Sequence, residues 1–192
     1  MNKREMERGW VEIDLRALKG NVAHLRRIMQ PGCKLMAVVK ADAYGHGAVE
    51  VAKTLNLIGE DTFAVATIEE GITLRRHKIA GEILILGYTA PCRAADLQRF
   101  RLRQTVVDMA HAEALNAIGI PLEVEIKVDT GMHRLGIDVQ NVHEIEKVYE
   151  MNCLKICGIY SHLCVSDGTT EEEIDYTKKQ ISLFYQLIQK LG

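Results

Sequence analysis

With only three prolines and no low-complexity stretch, nothing in the 192 residues marks a linker or a domain boundary. No apolar run approaches the roughly 20 residues that a membrane helix needs. Stretch 1–9 is polar and charged, so it lacks the apolar centre of a signal peptide. Charge of one sign is also scarce. A formal net charge of -2 gives no reason to expect nucleic acid or an anionic membrane surface as a partner. The five cysteines, Cys33, Cys92, Cys153, Cys157 and Cys164, are odd in number and form no CxxC pair. That pattern favours free thiols in a reducing compartment. The expected location is the cytoplasm, either alone or as the cytoplasmic domain of a longer membrane protein. What is present is ordinary globular composition, 47% hydrophobic and 26% charged, in a length that fits one domain over 1–192.

Strand-like and helix-like patterns alternate along the chain. Trp10 to Asp14 reads as a short strand, and Asp14 as the cap of a helix whose Leu15, Leu18, Val22, Leu25 and Ile28 form one stripe. Leu35 to Val39 is a continuous apolar run, the mark of a strand covered on both faces. A helix with Val51, Ala52 and Leu55 inward follows the turn at Tyr44 to Gly47. Strands are then expected at Phe63 to Thr67, Ile83 to Leu86, Thr105 to Val107, Glu123 to Asp129 and Lys155 to Ser161. Thr67 with Glu70 predicts a capping box, and Asp108 an N-cap. Val139, Val142, Ile145 and Val148 predict one more helix. Thr170 with Glu173 opens the last, with Ile174, Ile181, Phe184, Tyr185 and Ile188 on one side.

Such alternation implies a parallel sheet with right-handed crossovers, either an open doubly wound sheet or a (β/α) barrel. The strand Glu123 to Asp129 separates the two. Val124, Ile126 and Val128 share one face, while Glu125, Lys127 and Asp129 share the other. Polar groups toward the carboxyl end of one strand face suit the mouth of a barrel and suit a helix-covered sheet poorly. The predicted fold is α/β, an incomplete (β/α)8 TIM-type barrel with about six of its eight strands.

Lys40 directly follows the first apolar run. An amine dried by a buried strand would favour its neutral, nucleophilic form. Taken alone it reads rather as a strand-end lysine reaching solvent. Tyr44, Gly45, His46 and Gly47 follow at a helix entry, where a phosphate can bind. Arg134 alone would be a surface ion-pairing residue, and His162 alone a satisfied core histidine. Cys153, Cys157, His162 and Cys164 make only a loose likeness to a metal cluster, because the Cys-x3-Cys spacing runs along a strand, so no metal is expected. His24, His77, His111 and His143 fall on helices or their ends and are expected to be solvated. Glu171, Glu172 and Glu173 read as an acidic helix start.

Three longer stretches carry a resemblance. Val38-Val39-Lys40-Ala41-Asp42-Ala43-Tyr44-Gly45-His46-Gly47 resembles the cofactor-binding signature of alanine racemases. Lys127-Val128-Asp129-Thr130-Gly131-Met132-His133-Arg134-Leu135-Gly136 resembles their K-x-D-T-G-M-x-R-L-G segment, and Gly158-Ile159-Tyr160-Ser161-His162-Leu163 their strand-end histidine. Trp10 to Leu15 is similar to their opening strand. Motifs of this length, in order and spread over most of the chain, are far more specific than any one of them. Met132-His133-Arg134 and Ser161 to Asp167 further resemble the racemase domain of vancomycin-resistance serine racemases.

The resemblance implies an isomerase that interconverts L- and D-alanine, or serine, with pyridoxal 5'-phosphate, supplying D-amino acids for the cell wall. It implies that Lys40 carries the cofactor covalently and moves the Cα proton. It also implies that Tyr44 donates to the cofactor's phosphate, and that Arg134 contacts the cofactor's phenolic oxygen and the substrate carboxylate. His162 would pack at the cofactor ring, and Lys127, often carboxylated in the family, would hold Arg134. Counting from Lys40, the strands ending near Thr67, Gly87, Asp108, Asp129 and His162 become barrel strands two to six. The family's last two barrel strands, its β-rich C-terminal domain and the second catalytic tyrosine, which acts across a homodimer interface, are not in this stretch. The stretch is therefore read as a fragment, with complete two-base racemisation expected of the longer protein. The competing readings are a small pyridoxal-phosphate carrier of the same barrel fold, whose lysine motif differs, and an inactive remnant.

Overall fold

The computed structural model describes residues 10–192; stretch 1–9, read above as lacking a signal-peptide core, lies outside them. The elements in order are α1 (Leu15–Ile28), β1 (Ala37–Val38), α2 (Lys40–Tyr44), α3 (Ala48–Leu57), β2 (Thr62–Val65), α4 (Ile68–Arg76), β3 (Glu82–Ile85), α5 (Ala94–Arg99), β4 (Arg103–Val106), α6 (Met109–Ala117), β5 (Leu122–Asp129), β6 (Ile137–Asp138), α7 (Val142–Tyr149), β7 (Leu154–Tyr160) and α8 (Glu171–Leu191). The expected caps form. Asp14 accepts from Arg16 and Ala17 N–H groups, Asp108 accepts from His111 N–H, and both capping boxes close.

Every strand pair is parallel, and the main series runs β1-β2-β3-β4-β5-β7. Phe63, Val65, Ile83, Ile85, Val106, Val124, Ile126 and Val128 point to the helix-covered face and form the core. The register Val38–Ala64–Leu84–Arg103 and Thr105–Glu125 puts the alternate residues on the other face. That face is concave. Tyr160 on β7 reaches over β5 to Thr105 on β4, with the two hydroxyls 2.9 Å apart. In a flat sheet the outer strands β1 and β7 would stand roughly 24 Å apart at the usual strand spacing. Yet the charge of Lys40, just after β1, bears on His162, just after β7. The sheet is the wall of an open barrel, as the polar face of β5 implied.

Several expectations need correction. Trp10 to Asp14 is not a strand, because it has no ladder partner among the described residues, and Trp10 and Val11 are exposed. The run Leu35 to Val39 is not covered on both faces. Only Ala37 and Val38 pair, and Val38 is 42% exposed, because β1 is an edge strand facing an open interior. The stripe on α1 is buried only at Val22, with Leu25 and Ile28 exposed. On α8 the expected residues Ile174, Ile181, Tyr185 and Ile188 are exposed, and the buried line passes through Gln180 and Leu187 instead. His111 is not solvated. It is 3% exposed, with Nε2 3.0 Å from the Thr89 carbonyl oxygen. The short strand β6, paired to the end of β5, and the six-residue helix α5 carried too little periodicity to be read from sequence.

Candidate active site

The chemistry-bearing residues sit where strands end. Lys40 follows β1 and opens α2, a single turn of unusual hand. Ala41, Asp42, Ala43 and Tyr44 all have φ between 50° and 54°. Left-handed helical turns cost L-residues roughly 1–2 kcal/mol each, so other contacts must hold this one. Glu70 does so at the front: its Oε1 accepts from Ala41 N–H at 2.7 Å, while its Oε2 accepts from Ala66 N–H at 2.6 Å and from Thr67 N–H at 3.3 Å. Asp42 does so at the back, accepting from Ala48 N–H at 2.7 Å. The turn leaves Lys40 half-buried rather than dry, its Nζ 5.9 Å from the centre of the Tyr44 ring. Tyr44 itself is 62% exposed and lines a cavity of about 580 Å³ with Asp14, Leu18, Val39 and His46.

After β5 the chain makes a loop organised by Asp129. Its Oδ1 accepts N–H bonds from Gly131, Met132 and His133 at 2.9, 2.8 and 3.1 Å. Burial works against the charged carboxyl, yet these N–H groups hold it below the ordinary aspartate value. The loop presents Arg134 to solvent. Lys127 does not bond to Arg134. Its amine is buried and donates to the carbonyls of Val128 at 2.7 Å and Leu135 at 3.4 Å, bracing the residue beside the arginine. Burial, opposed by Asp129 and assisted by Arg134, pushes the Lys127 amine below the ordinary lysine value.

His162 depends on a β-bulge. Ile156 pairs with Val124 and Gly158 with Glu125, so one extra residue, Cys157, sits between them. The bulge switches the facing residues, and Gly158, Tyr160 and then His162 follow Glu125, Lys127 and Asp129 on the concave face. Partial burial, then the positive charges of Arg134, Lys127 and Lys40, push the His162 imidazole below its ordinary value. The charges of Lys40, after the edge strand β1, and of Lys127 and Arg134, on and after β5, thus all bear on one imidazole, and the Tyr44 ring lies beside Lys40. Among the described residues no carboxylate pairs with Lys40 or Arg134. A primary amine, a guanidinium and a neutral imidazole around one mouth fit a small ligand carrying an aldehyde and anionic groups. At the opposite end of the strands Arg103 pairs with Glu125 at 2.8 Å and Glu82 at 3.2 Å and fills the floor. Among the described residues no group of His, Cys, Asp or Glu is arranged to hold a metal.

The model for the alanine racemase N-terminal domain matches residues 13–192. The chain belongs to that family. An amino-acid racemase of Enterococcus faecalis is 45% identical over 184 residues, covering 96% of this chain and 26% of that protein. A serine/alanine racemase of Enterococcus gallinarum is 42% identical, covering 97% and 26%. The solved alanine racemase of Clostridium difficile 630 in complex with cycloserine superposes with a TM-score of 0.89 at 34% identity, over 97% of this chain and 52% of that one. The alanine racemase N-terminal domain described here is therefore an α/β barrel of the racemase type, spanning a quarter to a half of these relatives' length. Sequence reasoning missed the residues that hold the loops: Glu70 in its second role, Thr130, Ser161, Tyr176 and Gln180. Only Gln180 carried a signal, as a polar residue in line with Phe184, Leu187 and Leu191.

Proposed function

We propose that the protein of which this chain is part interconverts L- and D-forms of alanine or serine with pyridoxal 5'-phosphate, and that Lys40 is its covalent attachment point. The observation that carries this reading is the convergence of Lys40, Lys127 and Arg134 on His162 at the carboxyl ends of the barrel strands, where among the described residues no carboxylate pairs with Lys40 or Arg134. Bound there, the cofactor supplies an aldehyde and an electron-withdrawing ring that makes the Cα proton of an amino acid removable.

The residues of this chain do the rest. Lys40 Nζ takes and returns the proton on one face. Arg134 presents a planar fork to a carboxylate or phenolate. His162, kept neutral by partial burial and by its cationic neighbours, would pack against the ring without adding charge. Tyr44, whose ring lies beside Lys40, would donate to the phosphate. The depressed Lys127 amine suits reaction with carbon dioxide, which would place an anion beside Arg134. Proton transfer on the opposite face falls to a residue outside this stretch, contributed in a homodimer. The enzyme works in the cytoplasm, and 1–192 acts as one domain.

The test uses the full-length protein with added cofactor. Borohydride reduction followed by mass spectrometry should place the label on Lys40 and leave Lys40→Ala unlabelled. Alanine in deuterated solvent should exchange its Cα proton, and chiral analysis should show both enantiomers. A label on another residue sinks the assignment. Labelling without exchange would favour a cofactor carrier instead.

A further inference from the structure

Of the 21 residues in α8 only Gln180 and Leu187 are buried, and Gln180 is 1% exposed. A buried amide in an apolar stripe is costly unless its donors and acceptor are met. Here they are met by two loops. Oε1 accepts from Cys164 N–H at 3.0 Å. Nε2 donates to the His162 carbonyl and to Thr130 Oγ1, each at 3.2 Å. Thr130 opens the loop that carries Arg134, whereas His162 and Cys164 belong to the loop after β7.

The connection continues past Thr130. Its hydroxyl lies 2.8 Å from Ser161 Oγ, which donates to the Val128 carbonyl at 2.9 Å. An amide N–H can only donate and a carbonyl can only accept, so the protons along Gln180, Thr130, Ser161 and Val128 are ordered in one direction. Such chains strengthen cooperatively when dry. The same helix face adds two more ties. Tyr176 donates to the Gly131 carbonyl at 2.7 Å, and Thr177 to the Val165 carbonyl at 3.1 Å. Gly131 is fitted to this contact: its φ is +135°, and a Cβ there would come 2.7 Å from the Tyr176 hydroxyl.

We propose that Gln180 is a positioning residue, whose amide fixes the Arg134 loop and the His162 loop relative to one another with α8 as the bracket. It touches no reacting atom. The inference rests on the racemase reading for what the two loops accomplish, not for how they are held. Without the amide the ties through Tyr176, Thr177 and the Thr130–Ser161 pair remain, but the one α8 side chain that bonds both loops is lost, and misplacement by about 1 Å can cost about a hundredfold in rate.

The experiment compares Gln180→Met, Thr130→Val and, as a control, Leu187→Ala in the full-length protein. NMR titration of the His162 imidazole, without cofactor, reports how buried the ring is and how close Arg134 and the two lysines stand. In Gln180→Met and Thr130→Val the midpoint should rise toward the ordinary 6.5, and kcat should fall about a hundredfold with a smaller change in KM. Leu187→Ala should lose stability while His162 titrates as in the wild type. If Gln180→Met does not fold, Thr130→Val decides alone. A wild-type midpoint in every folded loop variant would overturn the proposal. Failure of the racemase reading would appear separately, as no label on Lys40 of the wild type, and would leave the midpoints readable.

Discussion

At the scale of single residues, the site and its surroundings are set by what buried polar groups can find as partners. His111 shows this outside the site. Burial pushes its imidazole below the ordinary value, partly offset by the Thr89 carbonyl and the charge of Asp108. The unfolded chain therefore takes up its proton first, at the ordinary value of about 6.5. Stability contributed by the neutral ring is present above that pH and is lost as pH falls toward the folded value. His162 has the same sign. His111→Gln should cost about 1 kcal/mol near neutrality. It should also flatten the fall in stability as pH drops below the ordinary histidine value, measured as urea midpoints across a pH series. A variant with an unchanged acid slope would mean that the ring is protonated equally in both states.

At the scale of elements, loops after the strands are held by turns that tolerate little. Gly136, at φ +115°, lies where the Arg134 loop returns beneath β5, and an added Cβ would meet Val128 C at 2.8 Å and Lys127 O at 2.9 Å. Those are backbone atoms and cannot swing aside. Gly136→Ala should destabilise by roughly 2–4 kcal/mol, read as a fall in the urea midpoint at constant slope. It should also weaken any function of Arg134. The helices were legible wherever caps and periodicity agreed, as at Thr67 with Glu70 and at Thr170 with Glu173. The left-handed turn after Lys40 was not, because Ala41, Ala43 and Tyr44 have no residue-level preference for it and a single Asp42 does not make a run. Distant partners such as Glu70 impose it.

At the scale of the whole molecule, the barrel wall formed by the described residues ends in two parallel edge strands, each beside exposed apolar side chains. Val38 lies on β1 and Leu25 lines a cavity beside it, and Ile181, Tyr185 and Ile188 lie on the helix after β7. Unpaired edges with apolar flanks promote association. The 192-residue chain by itself should therefore self-associate at micromolar concentration, seen as a rise in mass by light scattering with increasing concentration. A chain that stays monomeric at high concentration and binds no hydrophobic dye would show that these edges are covered in solution.

The amino-acid sequence by itself determined the strand–helix alternation, the caps, the two-faced β5 and the motifs that hold Lys40, Arg134 and His162. All of these depend on neighbours a few residues away or on periodicity within one element. Only the tertiary structure decided which faces are buried at the open edges and how dry Lys40 is. It alone revealed the single extra residue at Cys157 that turns His162 inward, and the role of Gln180 in holding two loops together. Those outcomes depend on contacts between residues far apart in the chain, to which local pattern is blind.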